Sequence, residues 1–238
     1  SMNWPLVLHT FRQRLFRPVP LLVALGTFVL PLVTSILEKD DLTPEQLPFF
    51  VPILSWALAA GVVGREMENG SLHLLLARPL SRSCYLFSRL SGTWLAFFLV
   101  VFASWFATIG AVALMGGSLE VATSSARLFS LLLLGTWWIV LILALSTTAP
   151  GYSDLGLLLL LIIFPMLPAG LGKLLELGWL QEAGFFLAKQ VLNEVRIFDW
   201  AFSDSDWRAL LRYASNVALV LGAAFWYFNR RELGYGRD

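Results

Sequence analysis

Long stretches without a single charged residue constrain this chain more than any other feature. A helix needs about 20 mostly apolar residues to cross about 30 Å of hydrocarbon, and six stretches come near or exceed that length. They are Pro18–Leu37, Gln46–Gly64, Leu90–Leu119, Leu128–Ser153, Leu155–Gly172 and Tyr213–Asn229. Because soluble domains rarely contain so many apolar segments of this length, these segments predict a protein that crosses the membrane several times.

The stretches predict an all-α integral membrane protein with six transmembrane helices. Pro150-Gly151 favours a tight turn between the fourth and fifth spans, and the last span begins near residue 209 if Arg212 snorkels to the interface. We therefore predict one six-span domain over residues 18–238, preceded by a separate segment, 1–17. The predicted spans are about 18–37, 46–64, 90–116, 128–149, 152–172 and 209–229.

Composition supports a lipid-facing surface and gives no support for several other classes. Charged residues make up 14% of the chain and hydrophobic residues 58%, whereas a soluble domain has roughly 25% charged residues. A net charge of +1 gives no reason to expect a nucleic-acid partner. The lone Cys84 cannot form an intrachain disulfide, and the scattered His, Cys and Met residues predict no metal site.

The distribution of charge predicts the orientation. With six spans and the N-terminus inside, ten basic and five acidic residues fall on the inner side, against seven and eleven on the outer side. Because cytoplasmic loops carry an excess of Lys and Arg, both termini are predicted to be cytoplasmic.

Two segments outside the spans are predicted to be helical. Residues 3–17 place Trp4, Leu8, Phe11 and Leu15 at helical spacing, which predicts an amphipathic helix on the inner membrane surface. The alternative is a helical extension of the first span, but Pro18 and Pro20 would interrupt it. The stretch 173–207, between spans five and six, is too polar to span and predicts one or two short helices on the outer side.

The loop between spans two and three carries the most information. Asn69-Gly70 is a helix-stop pattern, and Ser71 suits the N-cap of a short helix over Leu72–Ala77. Arg78-Pro79 would end that helix, and Ser81 could cap the third span. The leucines of the short helix imply a buried surface, which could be the protein's own helices, the lipid interface or a partner protein.

This loop resembles that of the ABC-2 type permeases, the membrane subunits of ABC transporters, and in particular the type V exporters. The family pattern is an acidic residue, a Gly-Ser pair, a leucine-rich run, a proline and a Ser-Arg pair. Here the pattern comprises Glu66, Glu68, Gly70, Ser71, Leu74–Leu76, Arg78, Pro79, Ser81 and Arg82. The six spans and the basic end at 228–233 are also similar to this family, so the resemblance covers nearly the whole chain.

The resemblance implies a division of labour between subunits. The membrane subunit holds the transport pathway, paired with a second copy of itself or a related permease, and a separate cytosolic P-loop ATPase binds ATP and Mg. The loop would be the coupling helix, and the N-terminal helix would touch the same ATPase. The residues implied to face the ATPase are Glu66, Glu68, Gly70, Ser71, Leu72, His73, Leu74, Leu75, Leu76, Arg78, Pro79, Ser81 and Arg82.

The residues themselves agree with an ATP-binding partner. The P-loop pattern G-x-x-x-x-G-K-[ST] does not occur, so this chain is not expected to bind ATP through such a loop. The spans carry almost no ionisable groups, which argues against proton- or ion-coupled transport. Pro165 and Pro168 are expected to kink the fifth span, either as part of a gate or as irregularity at a helix end.

Two other functions stay open at this point. One is a structural or assembly membrane protein without transport activity. The other is an intramembrane enzyme, which would need buried polar groups acting together, and Asp154 and the two histidines are too scattered to provide them. The expected location of the exporter subunit is a bacterial inner membrane. Glu66 and Glu68 could pair with Arg78, Arg82 or Arg89 across the loop, or contact the partner. The alternative is a solvated polar loop whose charges only set the topology.

Overall fold

The computed structural model describes residues 3–38, 47–72, 80–115, 121–148, 153–175, 177–192 and 207–230. Within these ranges the chain is helical, with no strand. The helices are α1 (Trp4–Leu15), α2 (Pro18–Glu38), α3 (Leu47–Ala59), α4 (Gly64–Glu68), α5 (Arg82–Leu114), α6 (Val121–Thr148), α7 (Ser153–Leu174), α8 (Gly178–Leu192) and α9 (Trp207–Arg230).

Helices occupy every range in which a span was predicted. By length and composition, four of the described helical segments could cross a membrane: Phe50–Glu68, which includes most of α3, the turn after it and α4, together with Arg82–Leu114, Leu128–Thr148 and Trp207–Arg230. A fifth candidate is the bent pair formed by α1 and the first part of α2. The all-helical, multi-span architecture is therefore confirmed, while the count of six spans stays a prediction.

The N-terminal segment forms a helix distinct from the first predicted span. The Asn3 side chain caps α1 by accepting from the Leu6 N–H at 3.1 Å. Pro18 and Pro20 follow, and α1 and α2 meet at an angle of 72°. This bend separates the axes of the two helices, while the position of α1 on the membrane surface stays a prediction. The predicted helix between spans five and six is also present as α8, although its position outside the membrane stays a prediction.

α5 and α6 form the centre of the bundle. α5 packs against α1, α2, α3, α6 and α9, and α6 packs against α3, α5, α7 and α9. Both helices carry fully buried side chains, among them Phe97, Ile139, Val140 and Ile142. Gly135 makes room for Phe97, because a Cβ there would overlap the Phe97 ring. By contrast, only 11% of the membrane-crossing window of α9 is buried.

The second predicted span is not one continuous helix. α3 ends at Ala59, and α4 begins at Gly64 after a turn in which Gly61 has φ +60°. That φ lies in the left-handed region, which favours glycine. The turn is buried, with Val62 and Val63 both within the core, so its backbone polar groups must find partners inside the protein.

α1 approaches α5 closely enough to require a glycine at position 92. A Cβ on Gly92 would lie 2.6 Å from the Thr10 Cβ and 2.7 Å from the Val7 carbonyl oxygen. Gly110 on the same helix has nothing within 4 Å of the corresponding position, so the two glycines form a matched pair.

We expect Gly92→Ala to lower the free energy of unfolding by about 1–3 kcal/mol, because α1 must move away from α5. Gly110→Ala should be neutral or stabilising, since alanine is the better helix former. Thermal unfolding of both variants in detergent tests this pair. Equal stability of the two variants would show that α1 does not pack at position 92 as described.

Candidate functional site: the polar cluster around Glu66

The described parts of the loop confirm the stop at Asn69-Gly70 and the cap at Ser81, whereas the predicted short helix Leu72–Ala77 lies, beyond Leu72, outside the described residues. α4 ends at Glu68, with Asn69 at the C-cap and Gly70 at φ +66°, as the stop pattern predicted. Ser81 caps α5 by accepting from the Cys84 N–H at 3.2 Å. Leu72 is buried within the chain's own core. The predicted site residues His73, Leu74, Leu75, Leu76, Arg78 and Pro79 lie outside the described residues.

The loop begins at a buried ion pair. Glu66 on α4 pairs with Arg89 on α5, and the Tyr85 hydroxyl donates a hydrogen bond to the same carboxylate. The Arg89 side chain is 1% exposed and that of Glu66 16%. Of the pairings predicted across the loop, Glu66 with Arg89 is therefore present. Glu68, two residues further on, is exposed.

Arg89 extends the cluster to α1. Its guanidinium donates to the Thr10 hydroxyl at 2.9 Å and to the Gln13 side-chain oxygen at 3.3 Å. It also lies 5.5 Å from the centroid of the Tyr85 ring. A charge removed from water needs such partners, because an uncompensated buried charge is strongly destabilising. The cluster thus joins α1, α4 and α5 around one carboxylate.

The turn before α4 is held by side chains from two other helices. Arg14 of α1 donates to the carbonyl oxygens of Ala60, at 2.6 Å, and Gly61, at 3.1 Å. The Ser146 hydroxyl of α6 accepts from the backbone N–H groups of Val63, at 3.2 Å, and Gly64, at 3.0 Å. These bonds satisfy orphan carbonyls after α3 and orphan N–H groups at the start of α4. The break in the second span is therefore a capped and ordered joint.

The far end of the loop is anchored to the last helix. Arg82 donates to the carbonyl oxygens of Asn229, at 3.1 Å, and Phe228, at 3.4 Å. The Asn229 amide donates to the Ser83 hydroxyl at 3.0 Å, and the Phe228 ring stacks on Tyr85 at 5.9 Å between centroids. These carbonyls belong to the final turn of α9, where cations are favourable. Both ends of the 65–82 loop are thus fixed to the helical bundle.

Several members of this site were not singled out from the sequence. Arg14 lies in the segment that was predicted only to be an amphipathic helix, and Tyr85 and Ser146 were not identified as site residues. No local pattern marks Arg14 or Ser146, because their partners lie 46 to 83 residues away in the chain. Pro165 and Pro168 lie within α7, far along the chain from this site, and their role in a gate stays a prediction.

Within the described ranges, no group of three or more His, Cys, Asp or Glu residues could hold a metal ion. The described contacts of the cluster are a charge pair and hydrogen bonds between helices.

Comparison with known proteins identifies the family. The curated proteins give no match to this chain. A family model described as ABC-2 family transporter protein matches residues 24–233, a range that begins within α2 and includes the whole Glu66 cluster except its α1 partners. With its membrane-spanning helices, the chain is therefore a multi-pass membrane protein of the ABC-2 transporter family, whose members are permease subunits without an ATPase site of their own.

Proposed function

We propose that this chain is the permease subunit of an ATP-driven exporter in a bacterial inner membrane, with both termini cytoplasmic. A separate cytosolic P-loop ATPase would bind the loop 65–82, and this ATPase would bind and hydrolyse ATP with Mg. A second copy of this chain, or a related permease, would complete the transport pathway. The family supports pairing with an ATPase subunit in general; the direction and the docking residues are our proposal.

The observation that carries this proposal is the Glu66–Arg89 pair with its Tyr85 hydrogen bond. It lies between the loop and three helices, and separating it would leave charges buried without partners. A force applied to the loop would therefore move α4, α5 and α1 together instead of being absorbed by local bending. Such stiffness is what a coupling element needs.

The joint at residues 60–64 supplies the complementary freedom. Because α3 stops at Ala59 and α4 starts at Gly64, the loop can change its angle relative to the second span without breaking a continuous helix. Arg14 and Ser146 limit that movement by hydrogen-bonding to backbone groups at 60–61 and 63–64. In the proposed cycle, ATPase closure would push the loop, and α5 and α3 would open the pathway alternately to each side.

The substrate class follows from the spans. They contain almost no ionisable side chains, so a strongly charged molecule would find few partners on its way. An amphipathic or apolar molecule, moved by an external power source, fits this lining.

Replacing Leu74, Leu75 and Leu76 with serine tests the docking segment. The chain is purified by affinity tag from native membranes in mild detergent, and its partners are identified and assayed for ATP hydrolysis. We expect an ATPase to co-purify with the native chain and to be lost from the triple variant, because the apolar contact is removed.

The matched control is a second leucine triplet, Leu174, Leu175 and Leu177, which is exposed where α7 ends. Its replacement with serine should leave the ATPase bound. If the native chain purifies alone or with a protein that is not an ATPase, the proposal is wrong, and the loop belongs to an assembly protein.

A further inference from the structure

The two faces of α1 differ in a way that the ATPase proposal does not use. Towards the bundle, α1 buries Val7, Thr10 and Arg14. Away from it, a row of residues four apart is exposed and lines an open groove: Trp4, Leu8, Arg12 and Phe16. Trp4 is 61% exposed and Phe16 69%, so the described part of the chain leaves most of these two large aromatic side chains uncovered.

The outward face is positively charged, and no acidic residue of the same helix offsets this charge. Residues 3–17 contain no Asp or Glu. Arg12 and His9 are exposed, whereas Arg14 is committed to the turn at 60–61. A surface that combines exposed aromatics with an exposed arginine is complementary to an anionic, partly apolar ligand.

The direction of α1 is compatible with a position of this face at the membrane surface. α1 meets the first part of α2 at 72°. If α2 crosses the bilayer, α1 runs nearly parallel to the membrane plane. Tryptophan favours the headgroup level, and the apolar face of such a helix enters the boundary between headgroups and acyl chains.

We propose that the outward face of α1 is a binding site for an anionic phospholipid of the leaflet that α1 contacts. The Arg12 guanidinium pairs with the lipid phosphate and headgroup charge, while Trp4, Leu8 and Phe16 contact the glycerol region and the upper acyl chains. A lipid fits better than a protein partner, because tryptophan favours the headgroup level and the row combines exposed apolar side chains with an exposed arginine. This site does not depend on the proposed ATPase.

The site can be tested by local quenching of Trp4 fluorescence with brominated lipids. The full chain is placed in phosphatidylcholine vesicles that contain brominated phosphatidylglycerol or brominated phosphatidylcholine at the same fraction. The chain has ten tryptophans, so each variant is also made with Trp4→Phe, and the difference isolates Trp4. We expect the brominated phosphatidylglycerol to quench Trp4 more strongly.

Arg12→Gln should lower the preference for phosphatidylglycerol about fivefold, since one basic residue near an anionic surface contributes about 1 kcal/mol. Arg12→Lys should retain it. Arg212→Gln, which removes an exposed arginine from α9, should also leave it unchanged.

Three results would overturn the site. Equal quenching of the native chain by both lipids would show no preference for anionic lipid. An equal loss in Arg12→Gln and Arg212→Gln would show only general charge attraction. Loss of the ATPase from Arg12→Gln, with unchanged lipid preference, would assign this face to the protein partner.

Discussion

Replacing Glu66 with alanine is expected to lower the free energy of unfolding by about 3–5 kcal/mol. The substitution leaves the Arg89 guanidinium, 1% exposed, without its carboxylate, and deprives the Tyr85 hydroxyl of its acceptor. Under the proposed function, Glu66→Ala should also lose ATPase coupling while still inserting into the membrane. Thermal unfolding in detergent and co-purification of the ATPase measure the two effects.

Glu68→Ala is the matched control for this experiment. Glu68 lies on the same short helix but is exposed, so its removal should leave stability unchanged. A loss of ATPase binding in Glu68→Ala at normal stability would assign Glu68 to the partner contact. An equal loss of stability in both variants would mean that the charge of the loop, and not the buried pair, stabilises this region.

A second substitution, at Arg89, separates the contribution of the ion pair to stability from that of the surrounding residues. If burial of an unpaired Arg89 causes the loss, then Glu66→Ala combined with Arg89→Leu should be more stable than Glu66→Ala alone, because apolar replacement of a buried ion pair is often neutral. A double-mutant cycle measures the interaction. Strictly additive losses would contradict the described contact.

The sequence could predict the helices because each helix depends on residues within its own segment. A charge-free stretch predicts a span wherever it occurs, and the Asn69-Gly70 stop and the Ser81 cap depend on side chains that contact their own neighbours. The bend between α1 and α2 was likewise foreseeable from Pro18 and Pro20. Each of these features needs no knowledge of what packs against it.

The site was only partly predictable because its contacts join distant segments. Glu66 and Arg89 could be proposed as a pair, since they lie across one loop. Arg14, however, occupies a helix whose apolar spacing predicted a polar face turned to water, and the structure instead buries it against Ala60 and Gly61. The break in the second span was missed for the same reason. An apolar run such as 55–63 is compatible with a continuous helix until the side chains that cap the break are known.

Arg14→Leu is the second substitution with a large expected effect. It removes two hydrogen bonds to the carbonyl oxygens of Ala60 and Gly61 and leaves those acceptors buried. Because hydrogen bonds to charged groups contribute about 1.5–3 kcal/mol each, we expect a loss of about 3 kcal/mol in the free energy of unfolding. Arg14→Lys should lose less, since one ammonium can still reach one carbonyl but cannot grip two as a guanidinium does.

Hydrogen exchange at residues 60–64 distinguishes a loosened joint from general instability. Arg12→Leu is the control, because Arg12 is exposed and lies on the same helix. We expect faster exchange at the Val63 and Gly64 amides in Arg14→Leu only, since the Ser146 bonds to them depend on a fixed turn. If exchange at these amides is unchanged while stability falls, Arg14 only packs α1 against the bundle and does not hold the turn. Faster exchange at these amides, with the remaining helices still protected, would identify Arg14 as the residue that keeps the second span and the loop aligned. The N-terminal helix would then take part in passing movement from the loop to the second span.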